Sequence, residues 1–520
     1  MNLESQSGIG AGKLRSAEWG LIAVVIGASL LFRFATLSGP LDEPSWRQVW
    51  SAFQAKTLAA ESPPDVMHVK MNFRGRDWVA VANFPFYEIM VAGFYKLIGS
   101  ENLAMARLIT LFFFCAGAYY LFRVVALWFG PRVGWYSLAA YSILPFSLFY
   151  SRAVHYDVPV IALGHASLYY GIRFFRDRKV WLYLAAVAVT TVGFLIKPPY
   201  LFYFGLPLLV FLLLERKNLW LDFLLLGLLY VLPLAAGLWF EAHRVSTEAN
   251  KVSGLLYEVL HSAAHARKWY FGGVAERLDS ARWGVLLRRV YWLVLTPFGV
   301  FAATWAALTT FDRARWKGWA CFAAWCAGAA AYVMLIFPMA ASPHDYYVLP
   351  LVAPAAVLLG LFLDSLARSG ETAWRGVPRC ALALGVLVLM SARSLQAHGY
   401  FTRDWQKILA GRIVAQETSP DDLIVCSAVG RSTARVDPRT LYFCDRIGWA
   451  NTFDQLTEEN LATYASAGAR YAVVIVTPDF RAEAWDDQPV SRFPSRVLPV
   501  RGDSGKDYGE VRLFDLQAAE

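Results

Sequence analysis

Apolar runs of about twenty residues recur along this sequence, and each is long enough for a helix to cross a lipid bilayer. The chain has 520 residues, of which 57% are hydrophobic and only 17% are charged. The first run covers residues 19–37 and is longer than a typical signal-peptide core, so we expect a retained anchor. The others cover residues 103–128, 133–150, 157–174, 180–196, 199–214, 219–241, 285–310, 317–338, 346–366 and 379–397. This pattern predicts a polytopic α-helical membrane protein with about eleven spans.

The basic residues give the chain a net charge of +9, which would also suit a protein that binds nucleic acid. They lie, however, in alternate short loops between the apolar runs: Arg132; Arg176, Arg178 and Lys179; Arg216 and Lys217; Arg313, Arg315 and Lys317; Arg368, Arg375 and Arg379. Cytoplasmic loops of membrane proteins carry such an excess of lysine and arginine. We therefore assign the charge to membrane topology, with a cytoplasmic N-terminus and no nucleic-acid partner.

The stretch between the first two spans, residues 42–102, is amphipathic rather than purely apolar. Residues 46–58 have helical periodicity and predict a helix along the membrane surface. Residues 84–98 are ambiguous, because they are apolar but short and contain Glu88 and Lys96. Counting them as a span would place the basic loops outside, so we expect a second surface helix. The stretch is then the first outer loop of a transmembrane domain covering residues 1–398.

The polar tail, residues 399–520, predicts a small extracytoplasmic α/β domain. Residues 422–427 and 471–476 are short β-branched runs, and residues 456–467 between them have a helical pattern. No G-x-G-x-x-G motif follows a strand, so we expect no nucleotide site there. Cys426 and Cys444 could form a disulfide outside the cytoplasm, or could be free thiols.

Two acidic sites are predicted to share the outer face of the membrane. Asp42 and Glu43 directly follow the first span, and Asp157 opens the fourth. Carboxylates at a membrane exit are often ordinary solvated residues. Two that converge above a bundle of spans can instead supply a general base and an orienting group for sugar transfer.

Two cations are candidates for binding the phosphate of a sugar donor. Lys197 ends an apolar run and is followed by two prolines, which break the helix and present the ammonium on an irregular turn. Arg107 lies just inside the second span, where its side chain could equally extend to the interface and serve only as an anchor.

Further polar residues are candidates for substrate binding: Arg47, Glu88, His155, Tyr156, His344 and Tyr346. Glu88 could face a cavity or the lipid headgroups, and the His344–Tyr346 segment could contact a headgroup or form part of an interfacial aromatic belt. His155, His261, His265 and His344 all fall outside, but they are scattered over three loops. We expect no metal ligand set among them, although a divalent metal is not excluded.

The ordered set of these segments resembles the GT-C membrane glycosyltransferases over most of the chain. The segments are Asp42-Glu43 after the first span, Asn83-Phe-Pro-Phe-Tyr87, Tyr150-Ser-Arg-X-X-X-Tyr-Asp157, Gly193-Phe-Leu-Ile-Lys197-Pro-Pro, His344-Asp-Tyr-Tyr-Val-Leu-Pro350 and Leu441-Tyr-Phe-Cys-Asp-Arg-Ile-Gly-Trp449. The most similar families are the bacterial aminoarabinose and galacturonic acid transferases of lipopolysaccharide, and the protein O-mannosyltransferases.

This resemblance implies a polyprenyl-phosphate sugar as the donor, used on the outer face of the bacterial inner membrane. It implies that Asp42, with Glu43 beside it, is the base, that Asp157 is the second acidic site, and that Lys197 lies near the donor phosphate. The stretch Pro44–Gln48 departs from the mannosyltransferase pattern, so an envelope lipid or glycan is the more expected acceptor. No cofactor is implied, because the lipid-linked donor is a substrate.

Two other functions fit parts of the sequence. A transporter or flippase would place charged residues at the bilayer midplane and would show repeated halves, whereas here the charges lie at span ends and no repeat is evident. A non-catalytic envelope scaffold would explain the tail but not the acidic sites.

Overall fold

The computed structural model describes residues 14–71, 73–75, 79, 83–215, 219–245, 267–268, 270–342, 344–369, 373–429, 437–478, 480 and 488–518. Their contacts divide the chain into two compact units. The helical unit comprises Met1–Ser38, Ala104–Ala242 and Leu256–Tyr400. The sheet unit comprises Gly39–Leu103, His243–Leu255 and Phe401–Glu520, so the first loop groups with the tail.

The described α-helices follow the predicted apolar runs closely. In chain order they are α1 (Ser16–Ala35), α2 (Trp46–Ala60), α3 (Phe86–Ile98), α4 (Leu103–Phe129), α5 (Pro131–Ile143), α6 (Pro145–Tyr150), α7 (Asp157–Asp177), α8 (Val180–Ile196), α9 (Pro198–Glu215), α10 (Leu219–Val245), α11 (Val274–Leu278), α12 (Ser280–Arg289), α13 (Pro297–Thr309), α14 (Trp316–Leu335), α15 (Phe337–Ala340), α16 (Val352–Arg368), α17 (Ala373–Ala397), α18 (Trp405–Glu417), α19 (Arg439–Cys444) and α20 (Glu458–Ser466). A π-helix (Val290–Leu295) continues α12, and a 3-10 helix (Asp345–Leu351) precedes α16.

The protein is a multi-pass membrane protein with seven helices in the described chain that are long and apolar enough to cross a bilayer. The number rises to eight if Ser280–Leu295 and Pro297–Thr309, bent by 83° at Thr296, form one broken span. All eleven predicted runs are helical, but three fall short of that criterion of length and composition. They are the run that forms α5 and α6, the run that forms α7 and the run that forms α8.

The run 133–150 is broken at Pro145, where α5 ends and α6 begins. Such a break leaves carbonyl groups without intrahelical partners, and lipid offers none. The buried guanidinium of Arg33, from α1, lies at this break: Nη2 donates to the Ser142 carbonyl oxygen at 2.9 Å, and also to the Ser147 carbonyl oxygen at 3.1 Å, which accepts the Ser151 N–H as well. Its Nε donates to Ser151 Oγ at 2.6 Å. One arginine therefore ties the first span to the broken helix.

The sheet unit contains the predicted α/β fold. Its strands are β1 (Leu423–Val429), β2 (Gly448–Ala450), β3 (Ala469–Val476), β4 (Ser495–Arg501) and β5 (Asp507–Asp515). They are ordered β2-β1-β3-β5-β4, with β2, β1 and β3 parallel and the other two neighbouring pairs antiparallel. The predicted strands and helix correspond to β1, β3 and α20, whereas β2, β4 and β5 were not predicted. Cys426 and Cys444 are buried free thiols, so no disulfide joins them.

The two helices predicted in the first loop are present as α2 and α3. Leu58 of α2 and Ala92 of α3 bury against Val69 in a small apolar cluster within the sheet unit. At 13 residues, α3 is too short to be a candidate span, as the charge argument requires. Both predicted helices are thus confirmed as helices. Their position on a membrane surface stays a prediction.

Candidate functional site

The predicted site residues are found in both units. Asp157, Lys197, Arg107, His155, Tyr156, His344 and Tyr346 belong to the helical unit. Asp42, Glu43, Arg47 and Glu88 belong to the sheet unit.

In the helical unit, Asp157 and Lys197 form a buried ion pair. Asp157 is the first residue of α7, where the helix dipole favours a negative charge. Lys197 lies between α8 and α9 in a non-helical conformation, because the proline that follows disfavours helical geometry. Its Nζ lies 2.9 Å from Asp157 Oδ1 and 3.1 Å from Oδ2. The two predicted residues, 40 positions apart, therefore meet directly.

Four tyrosine rings surround the ammonium group. Lys197 Nζ lies 4.2 Å from the ring centroids of Tyr200 and Tyr347, 4.9 Å from that of Tyr346 and 5.8 Å from that of Tyr156. Aromatic faces at such distances attract a cation. Lys197 is 6% exposed and Asp157 is fully buried, so water screens this charge little. A cation so placed can attract a phosphate or sugar oxygen strongly.

Hydrogen bonds orient the residues around this pair. The Tyr200 hydroxyl donates to Asp157 Oδ2 at 3.0 Å and also lies 3.0 Å from the Tyr346 carbonyl oxygen. His155 Nδ1 accepts from the Asp157 backbone N–H at 3.2 Å, which satisfies one of the free N–H groups at the start of α7. The Tyr346 hydroxyl lies 3.2 Å from His344 Nδ1. Four of the predicted substrate-binding residues thus gather at the Lys197–Asp157 pair.

Arg107 is fully buried in α4 and contacts the end of the first span. Its Nη1 donates to the Leu37 carbonyl oxygen at 2.7 Å, and Arg152 Nη1 donates to the Thr36 carbonyl oxygen at 2.8 Å. Cations stabilise the carbonyl-rich C-terminus of a helix. The structure therefore gives Arg107 a contact of its own at the C-terminus of α1, and its binding to a donor phosphate stays a prediction.

Sequence reasoning missed Asp345, which is a buried acceptor in the helical unit. The Tyr150 hydroxyl donates to its Oδ1 at 2.5 Å, and the Tyr400 hydroxyl donates to its Oδ2. The available signal was an acid between His344 and Tyr346, two residues that the sequence analysis names as candidates for substrate binding.

In the sheet unit, Asp42 is a buried residue with hydrogen bonds to its own backbone and to that of its neighbour. It is 5% exposed, and the Gln48 side-chain amide donates to its carbonyl oxygen at 2.7 Å. The next backbone N–H, of Glu43, donates to the Thr402 carbonyl oxygen at 2.8 Å. The carboxylate oxygen Oδ1 lies 3.5 Å from Arg403 Nε, longer than a strong charge-assisted hydrogen bond.

Glu43, by contrast, uses both carboxylate oxygens in short bonds. Its Oε1 accepts from Arg439 Nη1 at 2.5 Å and from Ser45 Oγ at 2.6 Å, and its Oε2 accepts from the Ser45 N–H at 3.1 Å. Arg439 also binds Asp437. Burial raises the pKa of Asp437, but its bonds to Arg439 and the charge of Lys407 outweigh this effect and lower it to about 2. Glu43 therefore belongs to a hydrogen-bonded network around Arg439.

Glu88 and Arg47 were predicted to bind substrate. The Glu88 side chain is 1% exposed. Burial raises its pKa to about 7, although a bond to Ser51 and the charge of Arg47 oppose that rise. Arg47 lies 5.4 Å from the Trp50 ring. Their contact with a substrate stays a prediction.

In the part of the chain that the structure describes, no group of three or more histidine, cysteine or acidic side chains could hold a metal ion. His261 and His265 lie outside the described residues.

The family model for dolichyl-phosphate-mannose-protein mannosyltransferases matches residues 83–239 of the sequence. No curated protein matches the sequence. Among solved structures, ArnT from Cupriavidus metallidurans bound to undecaprenyl phosphate matches with a TM-score of 0.61 at 14% identity, over 95% of this chain and 98% of that one. The oligosaccharyltransferase AglB from Archaeoglobus fulgidus, in complex with an inhibitory peptide and a dolichol-phosphate, matches with a TM-score of 0.57 at 12% identity, over 95% of this chain and 74% of that one. The predicted GT-C fold is confirmed.

Proposed function

We propose that this GT-C protein is a glycosyltransferase that moves a sugar from a polyprenyl-phosphate donor to a lipid or glycan of the cell envelope. The observation that carries the proposal is the fold match over 95% of the chain to ArnT, a protein solved with undecaprenyl phosphate bound. The buried ammonium of Lys197 supports it, because transfer from such a donor releases a phosphate that a cation can stabilise.

The reaction would join an acceptor oxygen or nitrogen to the anomeric carbon of the sugar. Asp42 takes the proton of that acceptor atom, and the bond between the anomeric carbon and the phosphate oxygen breaks. The polyprenyl phosphate leaves with the electron pair. Among the two neighbouring acids, Asp42 suits the base, because Glu43 is engaged by Arg439 and Ser45. Asp157 positions Lys197 and balances its charge until the donor arrives.

The remaining assignments extend the same proposal. The sugar is a hexose or pentose, and the reaction takes place on the outer face of a bacterial inner membrane, with the N-terminus cytoplasmic and the tail extracytoplasmic. Arg107, Arg47, Glu88, His155, Tyr156, His344 and Tyr346 assist in binding donor or acceptor. No cofactor takes part, and the chain's basic loops support the orientation.

The test is comparative mass spectrometry of envelope lipids and glycans from cells with wild-type protein or Asp42→Asn, at matched protein levels. A matched control is Asp454→Asn, which changes an exposed acid elsewhere in the sheet unit. A sugar missing only in Asp42→Asn supports the proposal and identifies both donor sugar and acceptor. Identical envelopes in all three strains, with the protein expressed, contradict it.

A further inference from the structure

Residues 401–404 lie against the acidic pair that follows the first span, and both segments belong to the sheet unit. The Thr402 carbonyl oxygen accepts the Glu43 N–H at 2.8 Å, and Arg403 Nε lies 3.5 Å from Asp42 Oδ1. We propose that Arg403 is a positioning residue, which directs the Asp42 carboxylate towards the acceptor atom. This inference rests on the proposed function, in which Asp42 is the base, and it adds the C-terminal tail to the parts of the chain that the reaction needs.

Arg403 extends from a stretch of backbone that is fixed on both sides. Before it, Phe401 has a φ of 65°, in the left-handed region that residues with side chains rarely adopt, and the Thr402 carbonyl oxygen is bonded to the first loop. After it, Asp404 caps α18, since its Oδ1 accepts the Lys407 N–H at 3.2 Å. The Arg403 side chain therefore starts from a well-defined position.

Asp42 is fixed at its own end of the contact. The Gln48 amide donates to the carbonyl oxygens of Asp42 at 2.7 Å and Pro44 at 3.1 Å. The Asp42 side chain is 7% exposed, and a carboxylate withdrawn from water needs charged or hydrogen-bonding partners. Arg403 supplies a positive charge beside it. The guanidinium also lies over the backbone of Gly39, where a Cβ atom would be 2.8 Å from its Nη2.

The two neighbouring acids are held by their arginines in different ways. Glu43 Oε1 accepts from Arg439 at 2.5 Å and from Ser45 at 2.6 Å, so short bonds engage this oxygen. The contact of Asp42 with Arg403, at 3.5 Å, is too long for such a bond. It attracts the carboxylate without engaging Oδ1 in a short bond. A general base needs this combination, because it must keep its direction and still accept a proton.

The direction of the carboxylate matters for the rate of transfer. A base has to lie within hydrogen-bonding reach of the proton that it removes, and a displacement of about 1 Å can slow a reaction roughly a hundredfold. The backbone contacts of Asp42 leave its carboxylate able to rotate about the side-chain bonds. Attraction by Arg403 restricts that rotation. Because Arg403 acts through Asp42, its loss should slow the chemical step and leave substrate binding unchanged.

The test uses the purified full-length protein, with membranes from host cells that lack it as the source of donor and acceptor. Mass spectrometry follows the product over time at several membrane concentrations, which gives kcat and an apparent KM. Native mass spectrometry measures binding of undecaprenyl phosphate to the same preparations, and thermal unfolding measures their stability.

Arg403→Gln should lower kcat by roughly ten- to a hundredfold, while KM and undecaprenyl phosphate binding stay as in wild type. Arg403→Lys should recover part of the loss, because it keeps the positive charge but not the planar guanidinium. Arg412→Gln, which changes an exposed arginine of α18, is the matched control and should behave as wild type does.

A wild-type kcat in Arg403→Gln would overturn the proposal. So would weaker binding of undecaprenyl phosphate or a raised KM at unchanged kcat, which would make Arg403 a substrate-binding residue. Equal loss of kcat in the Gln and Lys variants, together with lower unfolding temperatures, would make its role purely structural. If Arg403→Gln does not fold, Arg403→Lys decides, and a wild-type kcat there overturns the proposal.

Asp42→Asn in the same assay separates this inference from the proposed function. No transfer by the wild type, or undiminished transfer by Asp42→Asn, contradicts the proposed function and the role of Arg403 with it. Transfer that is lost in Asp42→Asn and unchanged in Arg403→Gln overturns the positioning role alone.

Discussion

The Asp157 carboxylate binds the Lys197 ammonium through both oxygens, at 2.9 and 3.1 Å, in a site where neither side chain is appreciably exposed. Removing one partner of a buried ion pair leaves an uncompensated charge, which typically costs about 3–5 kcal/mol. Replacing both partners by apolar groups of similar volume is often neutral.

We therefore expect Asp157→Asn and Lys197→Met each to lower the unfolding temperature, and the double change Asp157→Leu with Lys197→Met to recover most of the loss. Thermal unfolding in detergent measures this. Sugar transfer should stay absent in the double variant, because the cation is gone. Recovery of transfer along with stability would show that the pair is purely structural.

Asp42 and Glu43 should differ in what their removal does. Asp42→Asn should abolish transfer with little change in stability. Glu43→Gln should weaken the bond to Arg439 and cost about 1–3 kcal/mol, while transfer continues at a reduced rate. Transfer assays and unfolding temperatures on the same preparations compare the two. The opposite pattern would make Glu43 the base.

Glu88 should make stability depend on pH. Its pKa is about 7 in the folded protein, above the ordinary value near 4.5, so the folded state holds the proton more tightly than the unfolded chain does. The protonated form therefore favours folding, and stability should fall as the pH rises through 7.

Glu88→Gln removes that dependence and should stabilise the protein by up to about 3 kcal/mol near pH 8 while changing little near pH 5. Unfolding temperatures at the two pH values measure the difference. Glu459→Gln, which changes an exposed acid of α20, is the control. It should not alter how the unfolding temperature depends on pH. Equal unfolding temperatures for wild type and Glu88→Gln at pH 8 would contradict the raised pKa.

Gly360 of α16 lets that helix approach α5 closely. A Cβ atom there would lie 2.7 Å from the Ser137 backbone nitrogen and 2.8 Å from its Cα, and the backbone of α5 cannot shift easily. We expect Gly360→Ala to destabilise the helical unit by about 1–3 kcal/mol. Gly385→Ala in α17 is the control, because a Cβ there meets nothing within 4 Å. A similar unfolding temperature for both variants would argue against the close approach.

The helices were predictable because the apolar runs and the basic loops report directly on burial in lipid. The bends were not, although proline follows each one, at Pro145 and Pro297. A proline allows a break but does not show which group meets the carbonyls there, and at Pro145 that group is Arg33, from a distant segment. β4 was missed because it is largely exposed and lacks the continuous apolar run of β1 and β3, and β5 was missed because charged residues alternate with its apolar ones.

The chemistry of single residues was predictable, and their pairing was not. Asp157 and Lys197 were both identified, but local sequence carries no information on whether they meet as partners or act apart. Asp345 and Arg439 were missed because an acid beside tyrosines and an arginine in a polar tail have no distinctive pattern. Their significance comes from long-range contacts with Tyr400 and Glu43.

The hydrogen bonds that Arg33 donates to the broken helix have a consequence for biosynthesis. Arg33 leaves the ribosome long before Ser142, Ser147 and Ser151 exist. The first helix must therefore enter the membrane with an arginine in its last turn that has none of these partners yet. The nascent chain gains them only after α5 and α6 have been translated, so until then the Arg33 side chain should extend to the membrane interface.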